Sequence, residues 1–170
     1  MYSPPPTPRE ENARQHVLDA LRLVDTQPEP DFDNLVELGR AFFAADYVLV
    51  SLVDNNRQWF KAKSGLEANE TPRDVSFCGH AILGEGPFVI TDAKADIRFA
   101  ENPLVLGAPH VRFYAGVPLI VKNMAIGTFC IIDTDQRNDF NAQDLLNLQR
   151  FGHLAEELID ARSLRHSVRA

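Results

Sequence analysis

Two short stretches hold most of the side chains that could do chemistry. Ser76-Phe77-Cys78-Gly79-His80 sets a thiol and an imidazole two residues apart, and the run from Asp92 to Tyr114 adds Asp92, Phe99, Asn102, His110, Arg112 and Tyr114. Cysteine and histidine are the residue types of a nucleophile and its base. On a helix, however, positions two apart lie about 200° around the axis and cannot hydrogen-bond directly. A metal site built from Cys78, His80, Asp92 and His110 would lack the regular ligand spacing of zinc and related centres, so no metal and no catalytic residue is expected. Non-covalent recognition remains, which needs an apolar lining and a few convergent polar groups. Phe77, Phe99 and Tyr114 can supply the lining, with Trp59 and Cys78 beside them and His80, Asp92, Asn102 and Arg112 orienting a ligand. Most have a structural alternative. Trp59, Phe77 and Phe99 can be core, Asp92 can cap the following segment, and Arg112 can pair with Asp96 or Glu101. Gly116 permits close approach of a ligand or of a neighbouring strand.

These residues need elements to position them, and Val111 to Asp133 is the most informative. Its two runs of β-branched and aromatic residues flank Lys122-Asn123-Met124-Ala125, the pattern of a hairpin. By parity Phe113, Ala115, Val117, Leu119 and Val121 share one wholly apolar face, while Arg112, Tyr114, Gly116, Pro118 and Ile120 share the other. Both faces therefore require cover.

The chain offers helices for one face. Thr7-Pro8-Arg9-Glu10 reads as a capping box opening a first helix, with Ala13, Val17, Ala20 or Leu21, and Val24 as its apolar stripe. A second helix is expected from Asp31, with Leu35, Leu38 and Phe42 on one face and Val36 and Phe43 beside them. A last helix follows Asn141 as N-cap, with Asp144 at N3 and Phe140 positioned to staple to Leu145; Leu145, Leu148, Gly152, Ala155 and Ile159 carry it to about Leu164. Strands are expected at 47–54, 58–64 and 88–91, and a short helix at 76–83 with Ser76 as N-cap and Gly84 as its left-handed terminator. Residues 65–74 read as a polar connection. Residues 92–110 hold Phe99, Leu104, Val105 and Leu106, too apolar for a solvated linker, and are read as an ordered lid or wall against Tyr114.

Composition sets outer limits. With 170 residues, 45% hydrophobic and 24% charged, one domain is expected. A net charge of −7 disfavours nucleic acid or an anionic membrane as partner. The start lacks a secretory pattern and no apolar run approaches about 18 residues, so a cytoplasmic setting is expected, where Cys78 and Cys130 stay reduced. Residues 1–8 are expected to be a mobile Pro-rich start, 9–165 the domain with its core at 31–162, and 166–170 a tail.

SFCGHAIL, DIRFAENP, HVRFYAGVPL and IGTFCIIDT, in that order, resemble the GAF domain family. Arg112 to Leu119 and Ile126 to Asp133 look most like the GAF domains placed ahead of diguanylate cyclase or histidine kinase modules in bacterial sensors. The resemblance implies an α+β fold: a central antiparallel sheet of five or six strands, terminal helices on one face, and loops and a short helix forming a pocket on the other. It also implies a parallel homodimer through those helices, with a separate output protein such as a diguanylate cyclase or histidine kinase as partner. Among relatives, free methionine-R-sulfoxide reductases use several cysteines, and Cys78 resembles the one in their Val-Cys-Gly-Thr motif. No cysteine lies between Asp92 and Tyr114, where that family keeps its catalytic thiol. The expectation is a non-enzymatic sensory domain for a small, unidentified ligand, with a ligand-free dimerisation module as the alternative and the reductase third.

Overall fold

The computed structural model describes residues 1–169. Six antiparallel strands form one sheet: β1 (Tyr47–Asp54), β2 (Arg57–Ser64), β3 (Glu70–Pro72), β4 (Phe88–Ile90), β5 (Phe113–Val121) and β6 (Met124–Asp133). They lie in the order β3-β2-β1-β6-β5-β4, so the central positions fall to β1 and β6. The β5–β6 hairpin closes on Lys122 and Asn123, both at positive φ (49° and 65°), as the two-residue turn favoured by strand twist requires. The polar connection expected at 65–74 instead contains the edge strand β3, whose Glu70 to Pro72 pair with β2, followed by a 3-10 turn at Arg73–Val75.

Helices α1 (Glu11–Leu21), α2 (Pro30–Phe43) and α5 (Ala142–Arg169) cover one face. Beneath them Phe113, Ala115, Val117, Leu119 and Val121 meet Leu148, Phe151, Ala155 and Ile159, with Val36, Phe43 and Phe129 between the layers. Gly152 lets α5 close on β5, because a side chain there would overlap Val117. A slip of register between Leu119 and Ile120 brings Ile126 onto this face too.

Three helix expectations change. α1 begins at Glu11, without a side-chain cap from Thr7, and buries Arg14 and Leu18 while Ala13 and Ala20 face solvent. Arg14 tolerates burial because Glu11 takes its guanidinium in two hydrogen bonds of 2.8 and 2.9 Å. α2 is capped at Glu29, two residues before Asp31, the N-cap expected from the sequence, and turns Phe32, Leu35, Val36, Gly39 and Phe43 inward, leaving Leu38 60% and Phe42 56% exposed. α5 has the expected reciprocal cap: Asn141 Oδ1 accepts from the amides of Gln143 and Asp144, and Asp144 Oδ2 accepts from the amide of Asn141. It runs on to Arg169, through most of the expected tail, whose last residue, Ala170, lies outside the described residues.

An ionic cluster ties these helices to the sheet. The ammonium of Lys61, with no exposed side-chain surface, sits 2.5 Å from Glu29, which also accepts from Arg162 of α5 at 2.7 Å. Lys61 further donates to Thr26 Oγ1 and Gln27 O, and Arg162 to the carbonyls of Leu21 and Arg22. Charges this deep persist only when paired and hydrogen-bonded.

Candidate functional site

The opposite face of the sheet is covered by two short helices, α3 (Phe77–Ala81) and α4 (Pro103–Leu106), and by the segment joining β4 to β5. Local chemistry fixes each. Ser76 Oγ accepts from the amide of Gly79 and caps α3. The C-cap of α3 is Ile82 in a right-handed conformation, and Gly84, expected as its left-handed terminator, is not at positive φ. Asn102 Oδ1 accepts from the amide of Leu104 to cap α4, while its Nδ2 donates to Val75 O and ties the wall to the 3-10 turn. The expected wall at 92–110 is thus an ordered, capped element. The Pro-rich start, expected to be mobile, lies along the same side: Tyr2 donates to Asp74 O at 2.9 Å, and Pro5 rests over Gly79.

The aromatic residues meet one another. Phe77 stacks on Phe99 with ring centres 4.3 Å apart and on Tyr114 at 5.3 Å, and all three are buried. The Tyr114 side chain folds back over Gly116 of its own strand, where any side chain would overlap its hydroxyl. The close approach at Gly116 is therefore to its own strand neighbour.

The polar residues expected to orient a ligand face elsewhere. Arg112 forms a two-pronged ion pair with Asp92 (2.8 and 3.0 Å), not with Asp96 or Glu101. Asp96 takes Arg98, whose guanidinium lies over the rings of Phe88 and Phe99. His80 packs against Phe88 and Phe99, and burial, then Arg98, push its imidazole below the usual range. Trp59 lies in the core beneath the helices. The pairing of β1 with β2 explains this: Leu52 opposes Trp59 and Ser51 opposes Phe60, so Gln58 and Phe60 face the wall and Trp59 faces the helices.

A cavity of about 180 Å3 opens beside the aromatic stack. Its lining includes Leu49, Phe60, Leu66, Leu104, Val111 and Ile132, with Phe77, Cys78 and Tyr114 at one side. Three of the ten expected site residues therefore border it, and Trp59, His80, Asp92, Phe99, Asn102, Arg112 and Gly116 do not. Gln58 is the main polar side chain at its border; its Nε2 donates to Thr71 Oγ1, and its buried Oε1 has no partner. The parity of Gln58-Trp59-Phe60 was the sequence signal for Gln58 and Phe60, once Trp59 is assigned to the helix side.

Beneath Cys78 a band of buried polar groups crosses the sheet: Ser51 on β1, Thr128 and Cys130 on β6, and Tyr114 on β5. The sulfur of Cys78 sits at its centre. Thr128 Oγ1 donates to it at 3.0 Å, the Tyr114 hydroxyl lies at 3.2 Å, and Cys130 Sγ at 3.9 Å. Burial alone would raise the Cys78 pKa, yet hydrogen bonds from Cys130, Thr128 and Tyr114 bring it down to about 7. Burial pushes Tyr114 and Cys130 the other way, so Cys78 is the group that ionises first. Among the described residues no cluster of three or more His, Cys, Asp or Glu side chains could hold a metal ion. Among the described residues, too, no helix is long and apolar enough to cross a membrane.

Helices packed on one face of an antiparallel sheet, and a loop-walled cavity on the other, define an α+β domain whose cavity lies on the face away from its terminal helices. The chain belongs to the GAF domain family, which matches residues 27–159. It is 39% identical over 151 residues to a cyclic di-GMP phosphodiesterase of Pseudomonas aeruginosa; the match covers 88% of this chain and 26% of that protein, so the chain spans about a quarter of its length. Among solved structures it resembles the GAF domain of an Acinetobacter phosphoenolpyruvate-protein phosphotransferase (TM-score 0.65, 20% identity, 85% of this chain and 92% of that one). A free methionine-R-sulfoxide reductase from Neisseria meningitidis, solved with its substrate, has the same fold (TM-score 0.66, 19% identity, 88% and 89%).

Proposed function

We propose that the chain is a non-enzymatic regulatory domain that binds a compact, uncharged and mainly apolar cytoplasmic molecule in the cavity between β1, β2 and α4. The cavity's character carries this reading. A hydrocarbon-lined void of about 150 Å3 holds benzene, so 180 Å3 suits one ring or a short branched chain. Ligand sites for larger molecules run to about 300–1,000 Å3, and a nucleotide or tetrapyrrole would have to displace the wall. Charge is disfavoured as well. The nearby ions, Asp92 with Arg112 and Asp96 with Arg98, satisfy each other outside the cavity, and Gln58 Oε1 offers one acceptor for one donor.

Occupancy would reach α5 through β2. That strand turns Gln58 and Phe60 to the cavity and Lys61 to the Glu29–Arg162 cluster, so a ligand preferring one seating of β2 shifts the seating of α5. Thermal shift against uncharged monocyclic compounds tests the reading. Stabilisation in the wild type that disappears in Val111→Phe supports it; equal stabilisation in both proteins, or none across the set, counts against it.

A second reading, a ligand-free homodimerisation module, has its own support. Phe77 and Phe99 already pack on one side of Tyr114, and Leu38, Phe42 and Leu154 leave an apolar strip exposed on α2 and α5. Sedimentation of the wild type and Leu38→Asp separates the readings when set beside the thermal shifts: a dimer lost on substitution, with no ligand response, favours the second.

A further inference from the structure

We propose that Cys78 and Cys130 form an oxidisable dithiol, closed by a hydroperoxide into an intramolecular disulfide that pins α3 to the sheet. The two sulfurs lie 3.9 Å apart, both buried, one on a five-residue helix and the other on the central strand β6. Cys78 also borders the cavity, so a molecule as small as a peroxide can come up against this residue. This goes beyond ligand binding and needs no ligand.

The chemistry balances with the peroxide as the only oxidant. The Cys78 thiolate attacks one peroxide oxygen and the O–O bond breaks; the departing oxygen leaves with a proton, as water from hydrogen peroxide or as an alcohol from an organic peroxide. Cys78 is then a sulfenic acid. The Cys130 sulfur attacks the Cys78 sulfur, the S–OH bond breaks, and hydroxide leaves as water with the Cys130 proton. The two thiols lose two electrons and the peroxide gains them. The surroundings suit the order of events: the groups on the Cys78 sulfur are Thr128 and Cys130 from β6 and Tyr114 from β5, with Ser51 of β1 nearby. These are neutral hydrogen-bonding groups, and they favour the thiolate at Cys78 rather than Cys130.

Disulfide formation requires the sulfurs to close to about 2.05 Å, which draws Cys78 away from Tyr114 and Thr128 and reshapes the cavity's border at Cys78. Reducing compartments hold such bonds only transiently, as in redox sensing.

The test treats the full 170-residue chain with hydrogen peroxide, quenches with acid, alkylates under denaturing conditions and reads intact mass. The expected product is a monomer lighter by two hydrogens that takes up no alkylating agent, with peptides containing Cys78 and Cys130 cross-linked. Its rate should rise as pH climbs through about 7, and at pH 7 should be roughly tenfold that of an ordinary thiol, which is only a few per cent ionised there. Cys130→Ser should stop at a sulfenic acid on Cys78 that dimedone traps, and Cys78→Ser should lose the fast reaction. Retention of two alkylatable thiols in the wild type, a disulfide only between chains, or fast oxidation of Cys130 in Cys78→Ser would overturn the proposal. The wild-type mass decides even if a serine variant misfolds.

Discussion

The two faces of one sheet are finished in different ways. Under α1, α2 and α5 the apolar side chains interlock: Phe129 stacks on Phe151 with ring centres 5.4 Å apart, and a glycine brings α5 onto β5. Under α3 and α4 the same strands present Ser51, Gln58, Thr128, Cys130 and Tyr114, and the cover leaves a void of about 180 Å3. Well-packed interiors leave few voids larger than a water molecule. The helix face is accordingly the more tightly packed, while the wall face keeps a void and a band of polar groups beside its own buried cluster.

The largest expected effect contrasts truncations. Phe129→Ala on the helix face should cost about 3–5 kcal/mol, whereas Leu104→Ala, at the edge of an existing void, should cost only about 1–2 kcal/mol because little packing is lost. Urea denaturation at neutral pH measures both, and equal costs would break the contrast.

Breaking the ionic joint comes next. Glu29→Gln leaves Lys61 buried with a weakened partner and should cost about 2–3 kcal/mol, below the full penalty for a stranded charge because Glu29 is partly exposed. If the joint carries occupancy to α5, this variant should still bind ligand but lose any ligand-dependent change in exchange of the amides around Arg162.

Enlargement probes the same contrast from the other side. Ala155→Leu, with no room under α5, should cost about 1–3 kcal/mol, whereas Val111→Phe should change stability by less than about 1 kcal/mol while filling the cavity. A large cost at Val111 would mean that the wall is as tightly fitted as the helices.

The smallest effect lies at Glu11, where α1 meets the 3-10 turn. Burial would raise its pKa, but hydrogen bonds from Arg14 and Arg73 hold the carboxyl at about 2, against 4.5 when unperturbed. Because the folded value is the lower, the contribution is complete above about pH 4.5 and is lost as pH falls toward 2. Glu11→Gln should therefore be destabilised at pH 7 and match the wild type near pH 2 in chemical denaturation.

Much of this was legible from residue order. Parity in Phe113 to Val121 placed that run under the helices, and Asn141 with Asp144 marked the start of α5 correctly. The faces of α1 and α2 were harder to read, because burying Arg14 depends on Glu11, and Leu38 and Phe42 continue the apolar spacing of α2 yet lie on its open side. The site was less legible than the fold. Phe77, Cys78 and Tyr114, picked out by their types, do border the cavity, but Arg112, Asp92 and Asn102 satisfy one another or the backbone, pairings that depend on a fold not visible in their spacing. Gln58 and Phe60 were hidden by Trp59, whose size drew attention to the wrong parity of β2.

The most direct measurement is a proton–nitrogen NMR titration of the reduced chain with benzene and with phenol. Saturable shifts at the amides of Phe60, Leu104, Val111 and Tyr114, tighter for phenol through Gln58 and followed by shifts near Arg162, are the predicted result. Saturable shifts confined to the groove between Leu38 and Leu154, or no shift at the cavity amides with either probe, would contradict a ligand site on the wall face.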